Sequence, residues 1–132
     1  MRTGMDFVDS RFFDHFMDPR NVGTIEDPDG MGMGGDPDCG DWLLVTIRVS
    51  DGSIEDIRFQ CRGCSSAIVT SSSMTELAKG RSLEEAMNIS ATDIEDSVGG
   101  LSDEKRHCSL LGEQALREAI KDFRARERPQ AQ

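Results

Sequence analysis

No run of apolar residues in this 132-residue chain approaches the roughly 20 that span a bilayer, and the N-terminus lacks the basic-then-apolar layout of a secretory signal. The expected location is cytoplasmic, with no membrane partner. Basic residues are scarce: 15 Lys and Arg stand against 25 Asp and Glu, a net charge of -10 spread along the chain. A phosphate-backbone partner needs a basic face, so nucleic acid is excluded as the expected ligand. The acidity suits solubility, cations or a basic protein partner. Cysteines are few, Cys39, Cys61, Cys64 and Cys108. In a reducing cytosol these are expected to be metal ligands, reactive thiols or small core residues rather than disulfides. Internal repeats and low-complexity blocks are missing too. The length suits one domain over 1–132, with 1–5 and 128–132 as frayed tails.

Phe7, Val8, Phe12, Phe13, Phe16 and Met17 recur mostly at three- to five-residue intervals, which predicts a short helix over 6–17 that lays aromatics on the core and stops before Pro19. His15 in it reads as an ordinary helix residue, not a ligand. From Asp18 to Gly40 the chain is rich in Gly, Pro and Asp and is expected to be a loop. It ends in Asp36-Pro37-Asp38-Cys39-Gly40-Asp41, where glycines would let backbone fold closely around a bound group. Leu43, Val45, Ile47 and Val49 then alternate with Trp42, Leu44, Thr46 and Arg48, the period of a strand with one buried face. Asp51-Gly52 marks a hairpin turn. The return strand carries Ile57, Phe59 and Cys61 toward the core.

After Cys61-Arg62-Gly63-Cys64, Ser65 to Lys79 has helical spacing with Gly80 as a stop, so Cys64 falls at a strand-to-helix turn. The cluster Thr70-Ser71-Ser72-Ser73 has poor helix propensity and needs tertiary packing to hold it. Ser82-Leu83-Glu84-Glu85 is a capping box for a short helix through Met87, and 92–98 reads as another before Gly99-Gly100. A long amphipathic helix is expected over 107–126. It starts at Lys105-Arg106-His107-Cys108, so Cys108 would sit in a first turn, where unpaired N–H groups and the positive end of the macrodipole favour thiolate, with Lys105 as a nearby cation.

Taken alone, the four cysteines allow a structural tetrahedral zinc site. Against it, Cys39 and Cys108 stand singly, each near a polar ligand candidate, Asp41 and His107. Three thiolates with an exchangeable oxygen or nitrogen ligand suit an iron-sulfur centre that loads and unloads.

The ordered motifs Phe13-x-x-Phe16, Pro19-Arg20-Asn21-x-Gly23, Cys39-Gly40-Asp41, Gly63-Cys64-x-Ser66-Ala67-Ile68, Thr75-Glu76 and Lys105-x-His107-Cys108-Ser109 resemble the U-type iron-sulfur cluster assembly scaffolds, the family of IscU and the N-terminal domain of NifU. The resemblance runs from about Phe13 to Asp122. It implies an α+β fold, a small antiparallel sheet of about three strands covered by helices, as in IscU and SufE. It also implies a scaffold rather than an enzyme, on which a 2Fe-2S cluster, with 4Fe-4S as the alternative, is built from iron and desulfurase-derived persulfide sulfur and passed to apo-proteins. The implied cluster and metal ligands are Cys39, Asp41, Cys64, His107 and Cys108, with Cys108 as sulfur acceptor and Lys105 beside it. The implied partners are a cysteine desulfurase and apo-acceptors; by ligand count alone, three cysteines with a weak ligand leave a position that a second copy sharing the cluster could fill.

Three departures qualify the resemblance. The double proline of the Hsp70-type chaperone motif is replaced by Leu101-Ser102-Asp103-Glu104, so the resemblance leaves that partner open. Cys61 occupies a position that is usually not cysteine and reads either as a small buried residue or as an extra ligand. The zinc-dependent SufU branch, a sulfurtransferase relay with zinc as occupant, is the alternative function. It has an insertion before the last cysteine and lacks the preceding histidine, whereas this chain keeps His107 and compact spacing.

Overall fold

The structure, a computed structural model, describes residues 10–35, 40–101 and 106–127. The start of the first predicted helix, both expected tails, Cys39 and Lys105 lie outside the described residues. In chain order the elements are α1 (Ser10–Met17), β1 (Gly30–Gly35), β2 (Trp42–Ser50), β3 (Ser53–Arg62), α2 (Ser65–Ala78), α3 (Leu83–Met87), α4 (Ala91–Ser97) and α5 (Arg106–Glu127). The strands form one antiparallel sheet in the order β1-β2-β3. Helix α5 packs along β1 and β2, and α2 along β3.

The β2–β3 hairpin follows the alternation. Leu43, Val45, Ile47, Ile57 and Phe59 are at most 2% exposed and form the core with Met74, Leu116 and Ile120. Each such side chain taken from water contributes about 1.5–3 kcal/mol. The turn residues Asp51 and Gly52 have φ of 53° and 77°, as a tight two-residue hairpin requires. On the other sheet face, Ile25 N–H donates to Thr46 Oγ1 at 3.0 Å, which accounts for a threonine that is 1% exposed.

Strand β1 is a departure from expectation, because Gly30–Gly35 lies inside the stretch read as loop. Its glycines alternate with methionines, and Gly30, Gly32 and Gly34 are buried against α5 while Met31 and Met33 face out. A Cβ on Gly32 would fall 2.2 Å from the Ala119 nitrogen and 2.4 Å from the Ala115 carbonyl oxygen. The strand forms here because only glycine lets helix backbone rest on strand backbone.

Helix α1 also departs. Phe13, Phe16 and Met17 are 43%, 44% and 63% exposed, and the buried residue is His15. Phe13, Phe16 and Met17 share a face that points outward, while Phe12 is half-buried. What holds α1 is polar: His15 Nδ1 lies 2.7 Å from Ser72 Oγ in α2, and Nε2 lies 3.5 Å from Glu76 Oε1. The same Ser72 hydroxyl accepts from Arg20 N–H at 2.9 Å, and Asn21 Nδ2 donates to Thr75 Oγ1 at 3.0 Å. The hydroxyl cluster of α2 is thus buried and partnered, consistent with its need for tertiary support.

Candidate metal and sulfur centre

Asp41, Cys64, His107 and Cys108 meet at one end of the sheet. Trp42 at the start of β2 pairs with Arg62 at the end of β3, which brings Asp41 beside the Gly63 turn. A Cβ on Gly63 would fall 3.0 Å from Ala67 Cβ, so glycine lets the turn pack closely on the first turn of α2, with Asp41 Cγ in ordinary contact range at 3.6 Å. Cys64 is the N-cap of α2: its carbonyl accepts from Ala67 N–H at 2.9 Å, and its side chain makes no capping hydrogen bond. Across from it, Arg106-His107-Cys108 opens α5. Both thiols therefore stand at helix N-termini, where backbone N–H groups stabilise negative charge.

The contacts form a chain. Cys64 Sγ lies 4.0 Å from Cys108 Sγ, Cys108 Sγ lies 3.6 Å from His107 Nε2, and that nitrogen lies 3.4 Å from Asp41 Oδ2. Two thiolates on one tetrahedral metal at 2.3 Å bonds would be about 3.8 Å apart, so the pair needs little movement to share an ion. Cys108 is 1% exposed and Cys64 partly exposed. His107 and Asp41 keep side-chain exposures of 53% and 48%. Among the described residues no three Cys, His, Asp or Glu side chains close around a single point as a finished metal site would. The donor set, two thiolates with an imidazole and a carboxylate, fits iron or zinc.

Cys61 differs from these thiols. It packs against the core from the inner face of β3. Burial pushes its thiol above the ordinary value, opposed by a hydrogen bond with Ser71, while charge at Cys64 and Asp41 adds to the rise. His15 is buried and engages Ser72 and Glu76. Sequence reasoning gave no role to Glu95, whose carboxylate accepts from Ser109 beside Cys108 at 2.7 Å. No period or motif marks a contact made between two helices.

A sequence model of the NifU-like N terminal domain matches residues 8–130, and the chain belongs to that family, the U-type iron-sulfur cluster assembly scaffolds. It is 52% identical over 113 residues to iron-sulfur cluster assembly scaffold protein IscU 1 of Archaeoglobus fulgidus, covering 86% of this chain and 74% of that one. Over 115 residues it is 47% identical to scaffold protein IscU of Aquifex aeolicus, covering 86% and 73%. The crystal structure of a nitrogen-fixing NifU-like protein (N-terminal) from Brucella abortus superposes with a TM-score of 0.68 over 89% of this chain and 94% of that one; at 15% identity the likeness is one of fold. Among the described residues no helix is long and apolar enough to cross a membrane.

Proposed function

We propose that this protein is a non-enzymatic scaffold on which an iron-sulfur cluster, of the 2Fe-2S type, is assembled from iron and desulfurase-derived sulfur and then passed to apo-proteins. The observation that carries the reading is the Cys64–Cys108 pair, 4.0 Å apart at two helix N-termini with His107 and Asp41 alongside. Family membership supports it, through relatives named as assembly scaffolds.

The cluster is cargo, and the chain's task is to accept sulfur, hold iron and let both go. Cys108 thiolate attacks the outer sulfur of the desulfurase persulfide; that S–S bond breaks, the desulfurase thiolate leaves, and Cys108 carries the persulfide. Two electrons from an external reductant turn this sulfur into sulfide. Because Cys108 is 1% exposed, acceptance requires the first turn of α5 to open. Cys39, Cys64 and Cys108 supply thiolates. Asp41 and His107 are weaker, exchangeable donors that ease release. Lys105, three positions before Cys108 in the chain, is assigned the part of an assisting cation.

The test is anaerobic purification with metal and acid-labile sulfide analysis and a visible spectrum, on wild type and on Cys39→Ser, Cys64→Ser, Cys108→Ser and Cys61→Ser. Iron and sulfide in equal amounts, lost in the first three variants and kept in the fourth, are expected. Stoichiometric zinc without sulfide, even after reconstitution with iron, cysteine and a desulfurase, would replace this reading with a zinc-bound sulfur relay.

A further inference from the structure

Glu95 lies in α4, away from the ligand-type side chains, yet its carboxylate grips the first turn of α5 on both sides of His107-Cys108. Ser109 Oγ lies 2.7 Å from Glu95 Oε2 and 2.8 Å from the Arg106 carbonyl. Arg106 Nε lies 3.7 Å from Glu95 Oε1. Ser109 is fully buried, and the Glu95 side chain is 13% exposed. Helix α4 is tied elsewhere as well. Ala91 N–H donates to Glu113 Oε1 of α5 at 2.6 Å, and Ser97 hydrogen-bonds Ser73 of α2. It thus braces the helix that carries Cys64 against the helix that carries Cys108.

We propose that Glu95 is a positioning residue for the thiol pair: by holding Arg106 and Ser109 it fixes the rotation of the first turn of α5 and keeps Cys108 Sγ beside Cys64 Sγ. A carboxylate suits the task because its two oxygens can serve two donors at once. Glutamine would keep an acceptor for Ser109 and lose the attraction to Arg106. Alanine would remove both. The use made of the thiol pair rests on the scaffold reading; its geometry does not.

The experiment uses the full chain with Cys39→Ser and Cys61→Ser, leaving two thiols, and phenylarsine oxide as probe. Its arsenic forms two As–S bonds with a close dithiol and releases one water, without electron transfer. Intact mass and the rate of thiol loss read the bridge. Glu95→Ala is expected to slow bridging about tenfold, since two groups that must act together lose effective concentration when one is displaced. Ser109→Ala should move the same way, and Glu95→Gln should fall between parent and Glu95→Ala. Single-thiol alkylation by iodoacetamide should change less than bridging does.

Bridging at the parental rate in Glu95→Ala overturns the proposal. So does a rise in Cys108 alkylation that parallels the loss of bridging, because that marks general loosening rather than misplacement. Should Glu95→Ala fail to fold, Glu95→Gln and Ser109→Ala decide, and parental rates in both overturn it. Neither iron nor sulfide takes part, so failure of cluster assembly and failure of this positioning role are separate results.

Discussion

Where α5 crosses β1, backbone meets backbone: three glycines face the helix, and nothing larger fits. Where α1 crosses α2, a histidine, two serine- and threonine-bearing turns and the Arg20-Asn21 segment meet through hydrogen bonds, and Phe13, Phe16 and Met17 face away. The first interface is stabilised by close packing, which is insensitive to pH and intolerant of added atoms. The second depends on directional bonds between buried polar groups, which tolerates some change of shape and responds to protonation. Under the proposed function, a scaffold that holds two thiols in place yet opens to receive sulfur gains from having both. The stiff interface lies under the helix that carries Cys108, and the polar one lies at the side of the helix that carries Cys64.

The largest expected effect is at the glycine interface. Gly32→Ala places a methyl group inside the α5 backbone envelope, so helix or strand must move, and urea unfolding should show a loss of about 3 kcal/mol, the upper part of the range for overpacking. At the polar interface, Ser72→Ala removes the hydroxyl shared by His15 Nδ1 and Arg20 N–H and leaves both groups short of a partner. The expected loss is about 1–3 kcal/mol in the same assay.

Titration gives a smaller effect of distinct form. Burial, and then the charge of Arg20, hold His15 below its ordinary value, with Glu76 and Asp14 opposing. The unfolded chain therefore binds the proton more readily than the folded one. The contribution of neutral His15 is complete above the ordinary histidine value of about 6.5 and falls as pH drops through that value toward the folded one, by at most about 1.4 kcal/mol per pH unit. Unfolding measured from pH 8 to 5 should show this slope in wild type and lose it in His15→Gln. Stability unaffected by that substitution across the range would remove His15 from the account. The smallest effect is expected on the outer face of α1: Phe16→Ser should change stability by less than about 0.5 kcal/mol, because the ring is already 44% exposed. A larger loss would mean that the helix is held by its aromatics after all.

Much of the site was legible before any fold was in hand. Cys64 falls at the N-cap of α2 and Cys108 in the first turn of α5, as the strand-to-helix turn and the amphipathic run predict. The hairpin and its Asp51-Gly52 turn follow from alternation and turn chemistry. Strand β1 escaped because glycine carries no apolar signal: the Gly-Met alternation was present, but its inward face is defined by the absence of side chains. Helix α1 departs from its pattern because periodicity says which residues share a face and not which way that face points. Helix α4 opens one residue before its predicted start, at Ala91, because Ser90 and Asp93 form a capping box like that of Ser82 and Glu85.

The sequence by itself determined the period of its strands and helices, the turns between them and the order of its ligand-type residues, since propensity and spacing act within a few positions of the chain. Tertiary structure alone decided that glycines 30, 32 and 34 form a strand, that His15 is the buried side of α1, and that Glu95 reaches Ser109 across 14 positions. Each of these depends on a surface supplied by a distant segment, and no local pattern encodes the shape of that surface.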